Sequence, residues 1–353
     1  YGKGQHTQSE GIEYTTTSSK PKNIIFLIGD GMGLNQISAG LTANKGELNL
    51  ELFKHIGLSK TYSSSSYITD SAAGATAFSI GKKTYNGAIG VDKDTIPTKT
   101  ILEMAEENGL STGLIATSSI THATPASFIA HQPSRKMEYE IAKDFLNTDI
   151  DVFIGGGKTF FADREDDRDL IGELKDKQYD VQFQLADVQA SSSTKLVGLL
   201  ADKGMPKISE GRGDMLAIAT EKAITLLSQN DSGFFLVVEG SQIDWGGHAN
   251  DIQYIIDEML DFDKAVGKAL EFAANDGNTL VVVTADHETG GLSLIDGNME
   301  KGEVEAAFST LHHTAVMVPV FAFGPQGEQF TGIYENTAIF DKFLTAFDFE
   351  NTQ

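Results

Sequence analysis

The sequence contains no cysteine, which excludes disulfides, thiolate catalysis and cysteine-ligated zinc. Any metal must therefore sit on histidines and carboxylates. Proline is scarce, at 7 of 353 residues, whereas glycine is abundant, at 36. Glycine raises and proline lowers the entropy of the unfolded chain, so this bias points to a less rigid protein, as expected of one working in the cold. Positive charge is also short: 27 Lys and Arg face 50 Asp and Glu, for a net charge of −23. Such a surface repels nucleic acid and anionic lipid, so polyanion partners are not expected and an anionic substrate needs a local source of positive charge. Long apolar runs are missing too. The blocks 23–28 and 279–284 end far short of the roughly 18 residues that a membrane span requires. No signal-peptide pattern is visible, which suits either a cytoplasmic chain or an exported one whose leader has been removed.

What is present is a core. Hydrophobic residues make up 40% of the chain, enough for one large domain. Residues 1–22 are Gly, Ser, Thr and charge, the composition of a flexible arm; residues 23–353 read as one catalytic domain. Short apolar runs at 23–28, 112–116, 152–154, 234–238, 279–284 and 318–323 read as strands. They alternate with helical periodicity, as over 214–229 and 251–274, which implies an α/β fold with a large, mostly parallel sheet covered by helices on both faces. Asn336 is the expected N-cap of a closing helix over 337–347. Two stretches, about 158–207 and 291–309, break the rhythm and read as surface insertions. The acidic run 163–167 superficially suggests a calcium loop, but Arg168 stands where such a loop needs glycine, so it reads as a solvated face.

In an open parallel sheet, ligands collect beyond the carboxyl ends of the strands. Gly29-Asp30-Gly31-Met32-Gly33 follows the first strand, and Leu34 occupies the place of the third glycine of a dinucleotide fingerprint. Glu239, Asp244 and His248 follow the strand at 234–238, Asp286 and His287 follow 279–284, and His312 and His313 precede 318–323. Singly, each has a bland reading, such as a helix N-cap for Asp30. Together they are explained by a metal cluster, because paired divalent ions roughly 4 Å apart clamp the attacking and leaving oxygens of a displacement. Ser71 is the candidate nucleophile. It follows a strand-like Ser66 to Thr69 and opens a run of small helix formers whose free amides and dipole would face an anion. The alternative is that Ser71 is a simple N-cap.

In order, Gly29 to Gly33, Thr69-Asp70-Ser71-Ala72-Ala73, Glu239-x4-Asp244-x3-His248, Thr284-Ala285-Asp286-His287 and His313-Thr314 resemble the motifs of the alkaline phosphatases. The resemblance runs from about Asn23 to the closing helix and is weakest in the two insertions. It implies a zinc-dependent phosphomonoesterase with two zinc ions and one magnesium ion per subunit, acting on small phosphate monoesters at alkaline pH through a phosphoserine. By this resemblance Asp244, His248 and His313 hold the first zinc, and Asp30, Asp286 and His287 the second. Asp30, Glu239 and Thr124 hold the magnesium, and Arg135 grips two phosphate oxygens. Asp286 and His287 are chain neighbours, so their strand must end before them if both are to point inward. Four carboxylates against three divalent ions and one guanidinium leave the site net positive within an acidic protein. His122 stands where some members carry Asp, and Trp245 where some carry Lys or His. These departures imply weaker magnesium preference and easier phosphate release. His312 is an alternative to His313, which the His-Thr pairing favours. His131, His55 and His6 read as structural or surface. The resemblance further implies a homodimer and a periplasmic or secreted location. Phosphodiesterases and sulfatases share such metal rims, but Ser71-Ala72-Ala73 lacks the sulfatase context, and a bare metal-storage protein would form no phosphoserine.

Overall fold

The computed structural model describes residues 20–350; most of the expected N-terminal arm, and His6 with it, lies outside the described residues. In chain order the strands are β1 (Asn23–Gly29), β2 (His55–Lys60), β3 (Ser111–Ser119), β4 (Val152–Gly156), β5 (Asp180–Gln182), β6 (Leu196–Leu199) and β7 (Phe234–Gly240). They continue with β8 (Thr279–Thr284), β9 (Glu288–Thr289), β10 (Leu292–Asn298), β11 (Glu303–Phe308), β12 (His313–Thr314), β13 (Val318–Phe323) and β14 (Gly332–Glu335). Ten of them form one sheet in the order β14-β2-β13-β8-β1-β7-β3-β4-β6-β5. β13 alone runs antiparallel to its neighbours. The sheet and its covering helices make an α/β fold, as the alternation of apolar runs and helical periodicity predicts.

β1 lies between β7 and β8, and all seven of its residues are buried. Strand side chains alternate between faces, so Ile24, Phe26 and Ile28 join one hydrophobic cluster while Ile25 and Leu27 join the other. On the first face Phe26 meets Phe78, Phe128 and Phe343 edge-on, with ring centroids 5.5, 6.2 and 5.0 Å away. Truncating such a ring to alanine costs about 3–5 kcal/mol. On the second face the helices Met215–Leu227 and Ile252–Asp276 supply Leu216, Ala223, Ile255, Met259 and Val266. Among the described residues, no helix is long and apolar enough to cross a membrane.

Some expectations are corrected. No strand forms over 66–69; the segment is a loop in which the Ser63 amide donates to the Ser66 carbonyl at 3.0 Å. The closing helix spans Ala338–Phe347 and its N-cap is Thr337, not Asn336; the Asn336 side chain is buried instead, just before the cap. Within 158–207, the chain folds into three short helices together with β5 and β6, which pair in parallel and extend the sheet beyond β4. Within 291–309 it forms the β10–β11 hairpin.

Candidate metal centre

The strand ends converge on one rim. Asp30 directly follows β1, Glu239 lies near the end of β7, and the helix Gln242–His248 that follows carries Asp244 and His248 on one face. β8 ends at Thr284, so Asp286 and His287 lie beyond the alternation that would have split them, as their joint use requires. The antiparallel bridge between β9 and β12 brings in His313. Close approach at the rim depends on Gly31, at φ 75°, where a Cβ would fall 2.7 Å from the Asp244 Cα.

Ser71 is the first residue of the helix Ser71–Ile80. Asp70, not Ser71, is the cap: its Oδ1 accepts the Ala73 amide at 3.0 Å, which leaves the Ser71 hydroxyl for other work. Ser71 Oγ lies 3.3 Å from His287 Nε2 and 3.5 Å from Asp30 Oδ1. It lines an open cavity of about 370 Å³ together with Arg135, Asp244, His248, His312 and His313. Arg135 reaches Asp70 Oδ2 with Nη1 at 3.2 Å and His122 Nε2 with Nη2 at 3.2 Å. The His122 ring stands edge-on to Trp245, with centroids 6.2 Å apart.

The donor set fits divalent cations. His248 Nδ1–H donates to the Leu311 carbonyl at 2.7 Å and His313 Nδ1–H to the Thr69 carbonyl at 2.9 Å. Their Nε2 atoms then face each other at 3.1 Å, both also near Asp244 Oδ1, at 3.3 and 3.4 Å. Two ring nitrogens and a carboxylate oxygen so placed need a proton or a metal cation between them, and tying down the remote nitrogen is how proteins orient metal-binding imidazoles. Among the described residues, three groups have ligand atoms within 4.8 Å of one another: Asp244, His248 and His313; Asp30, Asp244 and His287; Asp30, His122 and Glu239. Asp286 is not in the second trio; its Oδ1 accepts the Gly31 and His287 amides, and its Oδ2 stands 3.2 Å from His287 Nε2. Asp30 Oδ2, Asp286 Oδ2, Glu239 Oε1 and Thr124 Oγ1 are buried without a hydrogen-bond partner. Buried polar atoms left open are costly, and here they gather around the same three places. The ring of His312 belongs to none of the trios; it lines the cavity mouth.

The electrostatics agree. Burial, followed by Asp286, Asp244 and Glu239, pushes the Asp30 carboxyl well above its ordinary range. Burial likewise lifts Glu239 to about 7, against hydrogen bonds from Ser241 and Ser118, and Asp286 to about 6. Burial would raise Asp244 as well, but the imidazoles of His313, His287 and His248 outweigh it and hold it low. Burial and Arg135 drive His122 down to about 3. The rim therefore carries more acid than its own cations balance.

Two contributors go beyond the residues that the sequence singles out. Asp70, which caps the helix and meets Arg135, could have been found by the N-cap rule. Thr289, whose hydroxyl donates to Asp244 Oδ1 at 2.5 Å, had no signal beyond its place after β8.

Comparison with known proteins gives one family. The alkaline phosphatase family model matches residues 21–308. Alkaline phosphatase 3 of Bacillus subtilis is 47% identical over 289 residues, covering 77% of this chain and 62% of that protein. The Escherichia coli alkaline phosphatase is 36% identical, covering 92% and 85%. The chain thus spans less than two thirds of the Bacillus relative. Among solved structures, the alkaline phosphatase from the Antarctic bacterium TAB5 superposes with a TM-score of 0.89 at 49% identity, covering 94% of this chain and 99% of that one. A variant of that protein, with magnesium bound, matches at the same TM-score.

Proposed function

We propose, from the premise that this chain belongs to the alkaline phosphatase family, that it hydrolyses phosphate monoesters to an alcohol and inorganic phosphate through a phosphoserine on Ser71. The observation that carries the reading is the Ser71 hydroxyl at a helix N-terminus, 3.3 Å from His287 Nε2, beside a rim of buried, unpartnered carboxylate oxygens. Asp244, His248 and His313 would hold one zinc, and Asp30 and His287, with Asp286, a second. Asp30, Glu239 and Thr124 would hold a magnesium, with His122 close enough to compete and to weaken the preference for a hard cation. When bound, these ions supply Lewis acidity for the hydroxyl and positive charge for the phosphoryl oxygens.

The residues do the rest. Ser71 Oγ releases its proton to water and forms a bond to phosphorus in line with the departing ester oxygen, whose bond breaks; the alcohol takes a proton back from water. Arg135, braced by Asp70, holds two phosphoryl oxygens, and the first amides of the Ser71–Ile80 helix face the same charge. Water then attacks phosphorus from the side the alcohol left, the Ser71 Oγ–P bond breaks, and two inversions give retention at phosphorus. The cavity is open, which suits many small monoesters.

The same reading takes residues 23–353 as one catalytic domain of an exported homodimer, and the glycine-rich, proline-poor composition as cold adaptation. p-Nitrophenyl phosphate hydrolysis between about pH 6 and pH 10, before and after chelation, with zinc and magnesium returned separately and a bis-ester alongside, tests the activity. Monoester cleavage rising with pH, lost on chelation and restored by zinc, is expected, as is a Ser71 peptide heavier by one phosphoryl group. Faster bis-ester cleavage would indicate a diesterase.

A further inference from the structure

His131 stands just before Arg135 in the chain and outside the metal rim. Its Nδ1 lies 2.6 Å from the Gly90 carbonyl oxygen and its Nε2 3.0 Å from Glu103 Oε1. A carbonyl and a carboxylate only accept hydrogen bonds, so both ring nitrogens must donate, and the ring is an imidazolium. The charged groups acting on it are Glu103, from the helix Ile101–Glu107, and Asp144, at the end of the helix Glu138–Asp144. Asp144 Oδ2 accepts the His131 amide at 3.3 Å. Burial pushes the pKa of the ring down, but the Glu103 carboxylate and the Gly90 carbonyl outweigh it, and the net shift is upward.

The segments this ring joins are those that present Arg135. Ile89 and Gln132 exchange backbone hydrogen bonds at 3.0 and 2.9 Å, and the Arg135 amide donates to the Gly87 carbonyl at 2.7 Å. The Gly87 amide in turn donates to Asp70 Oδ1 at 3.1 Å, on the carboxylate whose other oxygen meets the guanidinium. On the far side, Glu103 Oε2 accepts the Thr100 amide, and the Thr100 hydroxyl donates to the Phe128 carbonyl, each at 2.7 Å. Residues 87–91 are thus hung between Asp70 and Arg135 at one end and the Glu103 helix at the other, with His131 as the clasp.

We propose that His131 is a positioning residue for Arg135, an imidazolium clamp that fixes residues 87–91 to the Glu103 helix and so holds the guanidinium where it meets phosphate. The proposal rests on the reading of Arg135 as the phosphate grip. A neutral ring has one N–H, so one of its two bonds becomes lone pair against acceptor and the clamp opens. The sign follows from the raised pKa: the clamp is intact below the ordinary histidine value and is lost as pH rises through the folded one. Phosphate affinity therefore contains a component that declines with alkaline pH and is set by Glu103.

The test uses the metal-loaded, full-length protein. In ¹⁵N-histidine spectra, both nitrogens of His131 are expected to be protonated at about pH 6.5, with a midpoint that drops in E103Q. Inorganic phosphate inhibition and p-nitrophenyl phosphate KM are measured between about pH 6 and pH 10 for the wild type, H131Q, E103Q and R135A. H131Q and E103Q are each expected to weaken phosphate inhibition about five- to tenfold near pH 7 and to raise KM in parallel, with kcat within about twofold. The gap should close toward pH 10, and H131Q should add nothing in the R135A background. E103Q keeps the shape of the site and guards against a folding failure of H131Q. A single neutral tautomer at pH 6.5, unchanged inhibition, or an equal loss in the R135A background would overturn the proposal. R135A binding phosphate like the wild type would overturn the phosphate-grip reading, and the positioning role with it, while leaving the charge of the ring as the spectra report it.

Discussion

Two buried clusters of acid sit in this molecule and resolve the same electrostatic problem in opposite ways. In one, Arg212 donates to Glu258 and, at 2.9 Å, to Asp261, both on the helix Ile252–Asp276. The three side chains are at most 2% exposed. The second Arg212 arm meets the Pro206 carbonyl at 3.1 Å, and Glu258 Oε1 accepts the Ile208 amide at 3.1 Å. This cluster carries its own cation. In the other, Asp30, Glu239, Asp244 and Asp286 are 0–5% exposed, and Arg135 reaches Asp70 and His122 rather than any of the four. An acid cluster with an internal cation is structural, even with Arg212 Nε and Asp261 Oδ1 left without a partner, whereas one without it is a place prepared for charge from outside.

The largest effect should separate chemistry from architecture. Ser71→Ala removes one hydroxyl at the rim, so turnover is expected to fall by about 10³-fold or more while the melting temperature and bound metal stay as in the wild type. Loss of metal in this variant would mean that Ser71 belongs to the ligand set. Next, Arg212→Met strands two buried carboxylates and is expected to cost about 3–5 kcal/mol in urea unfolding, with metal content and KM unchanged. If activity fell before stability did, the Arg212 cluster would not be the purely structural partner in the comparison. Chelation should do the reverse. It leaves the Arg212 cluster closed but removes the rim's counter-charge, destabilising by about 4 kcal/mol for each ion that had been present at about a thousand times its dissociation constant. In Arg212→Met the chelation effect should add to that of the substitution, as for independent sites. A sub-additive result would show that the two acid clusters are coupled.

How much of this was legible beforehand follows the same physics. The runs at 23–28, 234–238 and 279–284 announce themselves because strands buried on both faces carry no polar alternation. β2 (HIGLSK) gives no apolar run because only two of its six residues are buried, near the edge of the sheet, and β5 (DVQ) gives none because three residues have no period. The stretch 158–207 looks irregular in sequence, yet β6 finds its register against β4, a contact no local pattern encodes. At the rim, the order of acids and imidazoles after the strands is legible because side chains there are aimed by the strands themselves. The position of Asp244 in two trios is not legible, since it depends on how the helix Gln242–His248 crosses Gly31. Nor is the displacement of the cap from Asn336 to Thr337, where adjacent residues of similar propensity are decided by packing.

The smallest expected effect probes the seam of the comparison, where the cation-poor rim borrows support from neutral groups. Thr289 Oγ1 donates to Asp244 Oδ1 at 2.5 Å and stands 3.3 Å from His287 Nδ1. It thus touches one residue from each of two adjoining trios without offering a strong ligand itself. Thr289→Val keeps the β-branched shape and deletes the donor. The Asp244 carboxylate then loses an orienting hydrogen bond, and the His287 ring loses the neighbour beside its remote nitrogen. Zinc affinity, read by competition with a chromophoric chelator, is expected to weaken about tenfold. kcat at saturating zinc should change by less than about threefold, because the charge of the rim is unaltered. Thr289→Ser should restore most of the affinity, since the hydroxyl returns while a methyl is lost. If Val bound zinc like the wild type and Ser bound it more weakly, packing beside Gly247, where an added Cβ would fall 2.8 Å from Thr289 Cβ, would be the role of Thr289. Support for the rim would then come only from the acids and imidazoles themselves.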